Sequence, residues 1–282
     1  MNWPSRDHVD RLRAVPLEAV LPLCGGAPDR HDQRKWHTPA GTLSVSGPKF
    51  MNWSRGIGGG GAIDLVIHLK NVGFRDALAW LAEHFAGVAG RAPGSAAARA
   101  PLRLPAPDSS RLDRVRDYLT VQRGLAPAIL DALIASGELS ADGQANAVFV
   151  LRSETGAPVG AELRGTSGRW RGMAPGSRKD LGFFAVGAQA AATVILCESA
   201  IDAVSAFQLR HAGRAISTAG ARPNPAWLPA LLSTHHLLCG FDADPTGDRM
   251  ADELIALHPA VRRLRPTLHD WNDVLCAERT IA

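Results

Sequence analysis

Two short apolar runs that stop abruptly at carboxylates dominate the pattern of hydrophobic and polar positions along the chain. Val194-Ile195-Leu196-Cys197 ends at Glu198 and opens into apolar residues at helical spacing from Ser199 to Leu209. His236-Leu237-Leu238-Cys239-Gly240-Phe241 ends at Asp242-Ala243-Asp244, and a further helical pattern runs from Asp248 to Leu257. An apolar run without alternation is how a strand buried on both faces reads, and such strands belong to parallel sheets. Ligands of open parallel sheets gather beyond the carboxyl ends of the strands, so Glu198, Asp242 and Asp244 are expected on one rim. Crowded carboxylates repel one another unless a cation sits among them, and hard oxygen donors suit magnesium or manganese. The alternative is that these acids merely cap helix N-termini, a role that stabilises by about 0.5–2 kcal/mol each.

Upstream, residues 1–86 pattern as one small unit. Arg11 to Leu23 has helical spacing, and Leu43–Ser46 and Lys49–Trp53 alternate like the arms of a hairpin turning at Gly47-Pro48. A glycine run, Gly58 to Gly61, precedes two helical stretches, Ile63–Leu69 and Phe74–Ala82. Such a run before a helix is able to cradle a phosphate, but no Lys-Ser or Lys-Thr follows it and no nucleotide-fold strand leads in. Residues 87–108 are rich in Ala, Pro and Gly, without periodicity, and read as a flexible linker. Residues 109–190 contain a helix beginning near Arg111, a second starting at Pro127 and stopping at Ser136-Gly137, and two strands, Ala147–Leu151 and Pro158–Gly165, joined at Glu154-Thr155-Gly156. In residues 191–282 a short strand, Ala215–Ser217, lies between the two acidic strand ends, and Val261–Leu264 reads as a last strand before His269-Asp270-Trp271-Asn272-Asp273.

Composition changes this picture little. The chain has 282 residues, 46% hydrophobic and 21% charged, with no apolar run near the roughly 20 residues of a membrane span and no signal-peptide order at its start. The expectation is a cytoplasmic protein with no membrane partner, its four scattered cysteines reduced. A net charge of +4 is compatible with a polyanionic partner without proving one. The distribution says more. Residues 164–179 hold five basic residues, Arg164, Arg169, Arg171, Arg178 and Lys179, and no acid, with Trp170 between two arginines. Guanidinium groups that neutralise phosphates beside an aromatic face that stacks on a base are the mixture a nucleic-acid groove uses, and a solvated loop is the plainer reading.

The joint pattern of strand-Glu198-helix and strand-Asp242-x-Asp244-x-x-Gly247-helix resembles the Toprim domain, the catalytic module of DnaG-type primases, type IA and II topoisomerases and OLD-type nucleases. The resemblance implies a Rossmann-like parallel sheet in which Glu198 transfers protons and Asp242 and Asp244 hold magnesium. The Asp-Trp-Asn block is similar to the ending of mobile-element Toprim proteins, so that Asp270 or Asp273 adds a further acid. The Tyr118-Leu-x-x-x-Arg123-Gly-Leu stretch and the following strand pair resemble the small α+β subdomain before Toprim in the primase core. The order of elements in residues 1–86 is similar to the zinc-binding domain of those primases. The places of its metal ligands carry Trp36, His37, Asn52, Trp53, Ser54 and Gly58, so no tetrahedral Cys/His set can form and no zinc is expected. Trp36, Phe50 and Trp53 are expected to pack where zinc would have contributed folding energy.

The expected fold is therefore α/β: a Toprim sheet preceded by a primase-core-like subdomain and by a zinc-ribbon-like domain without zinc. The function that the resemblance implies is magnesium-dependent nucleotidyl transfer by a primase-like protein of a plasmid or mobile element. Single-stranded DNA template, nucleotides and a replicative helicase would be its partners. A Toprim nuclease and a non-catalytic single-stranded-DNA-binding accessory protein are the rivals. Topoisomerase activity is disfavoured because it needs a nucleophilic tyrosine, and the single tyrosine, Tyr118, falls in a helix before the core.

Overall fold

A computed structural model describes residues 6–85, 100–168 and 170–281, which fall into two units, Met1–Ala97 and Ala98–Ala282. In the first, α1 (Arg6–Arg13), α2 (Leu17–Val20) and a 3-10 turn, Pro22–Cys24, lead into a sheet. Its strands are β1 (Ala27–Pro28), β2 (Lys35–Thr38), β3 (Gly41–Ser46), β4 (Lys49–Asn52) and β5 (Ile57–Gly60), in sequential antiparallel order. Two helices, α3 (Ala62–Lys70) and α4 (Phe74–His84), complete it. The helix expected over Arg11–Leu23 is split, because Pro16 lacks an N–H and takes an extended conformation (ψ 134°) before α2 starts.

The glycine run is an edge strand rather than a loop, with Phe50 opposite Gly59 and Met51 opposite Gly58. Close approach explains its composition: a Cβ on Gly59 would lie 2.8 Å from both the Phe50 ring and the Asp64 side chain. Alternation also sorts the aromatics. Trp36 and Phe50 are buried beneath the sheet, whereas Trp53 is 73% exposed and its indole N–H donates to Ser44 Oγ at 3.1 Å. The expectation that Trp53 fills the core is thus corrected. At the other places of the expected metal ligands the chain is occupied with hydrogen bonds. Asn52, fully buried, donates from Nδ2 to the Ala40 carbonyl and shares a contact with His68 Nε2 at 3.2 Å. Its carbonyl accepts from Ser54 Oγ at 2.7 Å, and His37 is held by Asp29 at 2.8 Å. An amide, a hydroxyl and an imidazole already taken up in hydrogen bonds, with no thiol among them, do not fit a tetrahedral zinc site.

The expected linker, 87–108, lies in part outside the described residues. Its last stretch, 100–108, is held along the second unit: the Arg103 N–H donates to the Pro175 carbonyl at 2.9 Å and the Asp108 N–H to the Ala141 carbonyl at 2.8 Å. The second unit continues with α5 (Leu112–Asp117), a π-helical turn over Tyr118–Gln122, and α6 (Pro127–Ala135). Next comes an antiparallel meander of β6 (Leu139–Ala141), β7 (Asn146–Arg152), β8 (Pro158–Gly165) and β9 (Arg171–Met173). A second sheet follows, made of β10 (Phe184–Gly187), β11 (Thr193–Cys197), β12 (Arg214–Ser217), β13 (His236–Cys239) and β14 (Arg262–Arg263) in the order β10-β12-β11-β13-β14. All pairs in it are parallel except β10 with β12. Helices α7 (Ala200–Gln208), α8 (Leu228–Leu232), α9 (Pro245–Leu257) and α10 (Trp271–Ile281) connect and flank its strands.

The run that first drew attention is the middle strand, β11, and Val194 to Cys197 are all fully buried. Successive side chains of a strand point to opposite faces. Ile195 and Cys197 enter one core with Leu130, Phe149 and Phe184, and Val194 and Leu196 enter another with Trp227, Phe241 and Leu254. Each such side chain contributes about 1.5–3 kcal/mol by burial, which anchors Glu198 from both faces. Among the described residues no helix is long and apolar enough to cross a membrane.

Candidate active site

The acids meet because β11 and β13 are neighbours in register, with Leu196 opposite Cys239. Beyond the strand ends the Asp242 N–H donates to Glu198 Oε1 at 3.1 Å, locking one acidic loop to the other. Gly247 is required by this closeness: a Cβ there would sit 2.2 Å from the Asp242 carbonyl oxygen and 2.9 Å from Glu198 Oε1. Asp244 caps α9, its Oδ1 accepting from the Thr246 and Gly247 N–H groups at 2.8 Å each. Its Oδ2 lies 3.8 Å from His269 Nε2. Asp270 likewise accepts the Asp273 N–H at 2.7 Å through Oδ1, while its Oδ2 is 3.6 Å from His269 Nδ1. Both capping acids therefore spend one oxygen on a helix end and turn the other towards His269.

A fifth acid escaped the sequence reading. Asp202 lies one turn into α7 and is buried. Its Oδ2 accepts from Ser199 Oγ at 2.6 Å and its Oδ1 from the Asn272 N–H at 3.3 Å. Ser199 caps α7 by accepting the Asp202 N–H at 3.3 Å, and the Asp202 carboxylate borders the acidic cleft. Its spacing of four residues from Glu198 was the available signal.

Electrostatics follow from crowding in a partly dry place. Burial, then the charges of Asp202, Glu198, Asp270 and Asp244, push Asp242 up to about 8. Burial and Asp270 push Asp202 up to about 7. Burial also raises Glu198, against the pull of the Asp242 N–H. Asp242 Oδ1 is buried and has no hydrogen-bond partner. An oxygen left bare amid four other carboxylates is what a hard divalent cation would satisfy, so the donor set fits magnesium or manganese. Asp242 and Asp270 border the cleft and would hold it, with Asp244, which does not border the cleft, at the start of α9. Asp273 does not border the cleft and is exposed, although its carboxylate comes within 4.8 Å of ligand atoms on His269 and Asp270.

The cleft in front of these acids measures about 400 Å³ and has basic walls, Arg123, Arg164, Arg171 and Lys179. The basic stretch expected to touch nucleic acid is thus divided. Arg164, Arg171 and Lys179 face the acids. Trp170, 51% exposed, lines a separate depression beside Pro105 and Gln144. Arg178 is committed to Asp180 at 3.0 Å, and Arg169 lies outside the described residues. Burial lowers Lys179, with Arg222 adding to the effect.

Further contributors went unread in the sequence. Glu162, half-buried on β8, accepts from the Ala200 N–H at 3.1 Å and from Ser217 Oγ, tying the meander to the start of α7. Arg123 donates to Tyr118 Oη at 2.8 Å and to Asn272 Oδ1 at 3.3 Å, and Asn272 returns a bond to the Arg123 carbonyl at 2.7 Å. This chain of bonds fastens the π-helical turn to the Asp-Trp-Asn block. The Tyr118 hydroxyl is engaged inside it and Tyr118 is buried.

The segment 117–190 matches the model of a protein family of unknown function, DUF3991. A curated "65 kDa protein" of Zymomonas mobilis is 28% identical over 316 residues, covering 98% of this chain and 52% of that protein, so the chain spans about half the length of this relative. Among solved structures, the primase fragment of the bacteriophage T7 primase-helicase is similar over 57% of this chain and 70% of its own, with 18% identity and a TM-score of 0.44. The zinc-binding and RNA polymerase domains of Aquifex aeolicus primase cover 97% of this chain and 82% of their own, at 16% identity and a TM-score of 0.39. The RNA polymerase domain of Mycobacterium tuberculosis DnaG covers 61% and 76%, at 15% identity and a TM-score of 0.45. Residues 195–275, which carry Glu198, Asp202, Asp242, Asp244 and Asp270, match the Toprim-like family model.

Proposed function

We propose that the protein is a primase-like enzyme of a plasmid or other mobile element, performing magnesium-dependent nucleotidyl transfer with single-stranded DNA as template and nucleotides as substrates. The observation that carries this reading is the buried, unpartnered Asp242 Oδ1 among four further carboxylates, facing a cleft with basic walls. Asp242, Asp244 and Asp270 would hold the divalent ion, which would supply positive charge to offset the negative charge of phosphoryl transfer. The chain's own groups divide the remaining work. Glu198, raised by burial, is suited to take the proton of an attacking hydroxyl. Arg164, Arg171 and Lys179 hold phosphates along the cleft wall, and Asp202 keeps the start of α7 and the Asp-Trp-Asn block in place around the acids.

The test is incubation of the protein with single-stranded DNA and nucleotides, with magnesium, with manganese and with chelator. New strands that need the ion and disappear in Asp242→Asn support the proposal. Ion-dependent shortening of the template would instead make the same acids those of a nuclease. Binding that is indifferent to the ion, without turnover, would make the protein an accessory. A replicative helicase is the partner to look for once strands are made.

A further inference from the structure

Along the outer edge of the second sheet, where β10 is the terminal strand, α6, β10 and α8 border a second cleft of about 980 Å³ that shares no lining residue with the acid-lined one. Its walls are largely apolar, with Ile129, Leu133, Phe183, Phe207, Trp227 and Leu231 among them. Arg214 projects into this setting from the first position of β12, whereas Ser217, the last residue of the same strand, bonds Glu162 beside the acids. The Arg214 guanidinium carbon lies 5.7 Å from the Phe183 ring centroid, and Phe183 meets Trp227 edge to face with centroids 4.6 Å apart.

What sets Arg214 apart is the lack of a partner. Its Nε is buried without a hydrogen bond, and among the described residues no carboxylate lies within ion-pair distance. The other arginine of the cleft, Arg152, is fully engaged: it donates to Glu138 Oε1 at 2.6 Å, the Gly156 carbonyl at 3.1 Å and the Gly137 carbonyl at 3.2 Å. Burial lowers Arg214, with no acid acting in the other direction. A partly dried, unpaired guanidinium is costly to keep in a fold, and an arriving anion relieves that cost. One planar fork among ring faces recognises a single carboxylate or phosphate on a flat apolar body. A polyanion is disfavoured, because Glu138 and Glu154 also line the cleft.

We propose that this cleft is a ligand site, distinct from the acid-lined one, for a small organic anion whose single charged group pairs with Arg214 and whose planar body packs against Phe183 and Trp227. An aromatic carboxylate and a nucleoside monophosphate share this chemistry. The experiment is calorimetric titration of the full chain with naphthoate and with adenosine monophosphate, beside their neutral counterparts naphthylmethanol and adenosine. At least one anion should bind saturably in the millimolar range or below and more tightly than its neutral counterpart, and which anion binds identifies the source. Arg214→Gln should weaken it about tenfold or more, the loss expected when a charge-assisted pair is removed. Ala132→Trp, on the exposed wall of α6, should block the same ligand by filling the cleft, and it decides the matter if Arg214→Gln does not fold. Arg171→Ala, in the acid-lined cleft, should leave the binding unchanged. The proposal is overturned if neither anion binds saturably, if neutral and charged forms bind alike, if Arg214→Gln and Ala132→Trp bind as the native chain does, or if Arg171→Ala abolishes the binding.

Discussion

Each unit has a polar side chain in a position where the resemblance implies a metal, and the two are treated in opposite ways. In the first unit Asn52 is neutral, and both ends of its amide are bonded, to the Ala40 carbonyl, His68 and Ser54. In the second, Asp242 is an acid with a bare oxygen and four acidic neighbours. A satisfied buried group stabilises a unique arrangement, whereas an unsatisfied one represents a standing cost that has to be met from outside. The first centre looks finished without a ligand. The second has an acid whose oxygen is left bare, and the proposed chemistry belongs to the second unit.

The comparison breaks most sharply on activity. Asp242→Asn should lower ion-dependent turnover by roughly a thousandfold or more, a loss on the scale of removing a preorganised electrostatic group, while the chain stays folded; rates and thermal melts on one sample check both halves. Full activity in well-folded Asp242→Asn and Glu198→Gln would remove the site from consideration. For the first unit the corresponding change is Asn52→Leu, expected to destabilise by about 2–3 kcal/mol because the Ala40 carbonyl, His68 and Ser54 lose their partner. Urea unfolding followed by circular dichroism reads it, and adding zinc should not restore the lost stability. Elemental analysis of the native protein should likewise find no stoichiometric zinc, and a one-to-one content would undo the contrast.

Titration sharpens the comparison further. Asp242 and Asp202 have folded values near 8 and 7, above the ordinary value of 3.8. The folded state thus holds more protons than the unfolded one from about pH 4 to 8. Their contribution to stability is therefore fully present at low pH and is lost as pH rises through the folded values. Metal-free protein should melt lower at pH 8 than at pH 6, magnesium should reverse the difference, and Asp242→Asn should shrink it. After discounting for partial solvent access, the gain in that variant at pH 8 is about 1–2 kcal/mol, or roughly 2–8 °C. Melts with and without chelator decide the sign. Smallest of all, Trp53→Ala should move stability by less than about 0.5 kcal/mol, because this ring is on the surface while Trp36 and Phe50 are in the core.

What was legible in the sequence divides along physical lines. β11 and β13 could be read because a strand covered on both faces writes its burial into every position, and an acid directly after it marks the strand end. β10 and α8 could not. Phe184–Gly187 and Leu228–Leu232 are each shorter than any period needs to declare itself, and β10 is fixed by pairing with β12. β5 was hidden because its glycines answer to Phe50 and Asp64, neighbours in space only. Trp53 was within reach: Phe50 and Asn52 point inwards, so period two sends Trp53 outwards, and grouping it with Trp36 by residue type concealed this. Asp202 was concealed by its surroundings, an acid amid the apolar face of α7. Arg178 and Lys179 are adjacent in sequence, yet Asp180 takes the first and the cleft receives the second.

The strand β11 has a further consequence. Since its alternate side chains belong to different cores, neither core can loosen without disturbing the other, and opening of the sheet and opening of the α6-β7 side become one event. Amide hydrogens of Val194 to Cys197 should therefore be among the slowest in the chain to exchange with deuterated solvent, at rates that follow global unfolding. Breathing would be confined to the rims, where α8 and the 153–156 turn border the Arg214 cleft. Rigidity in the middle and freedom at the edge would let that cleft change shape while Glu198 stays fixed.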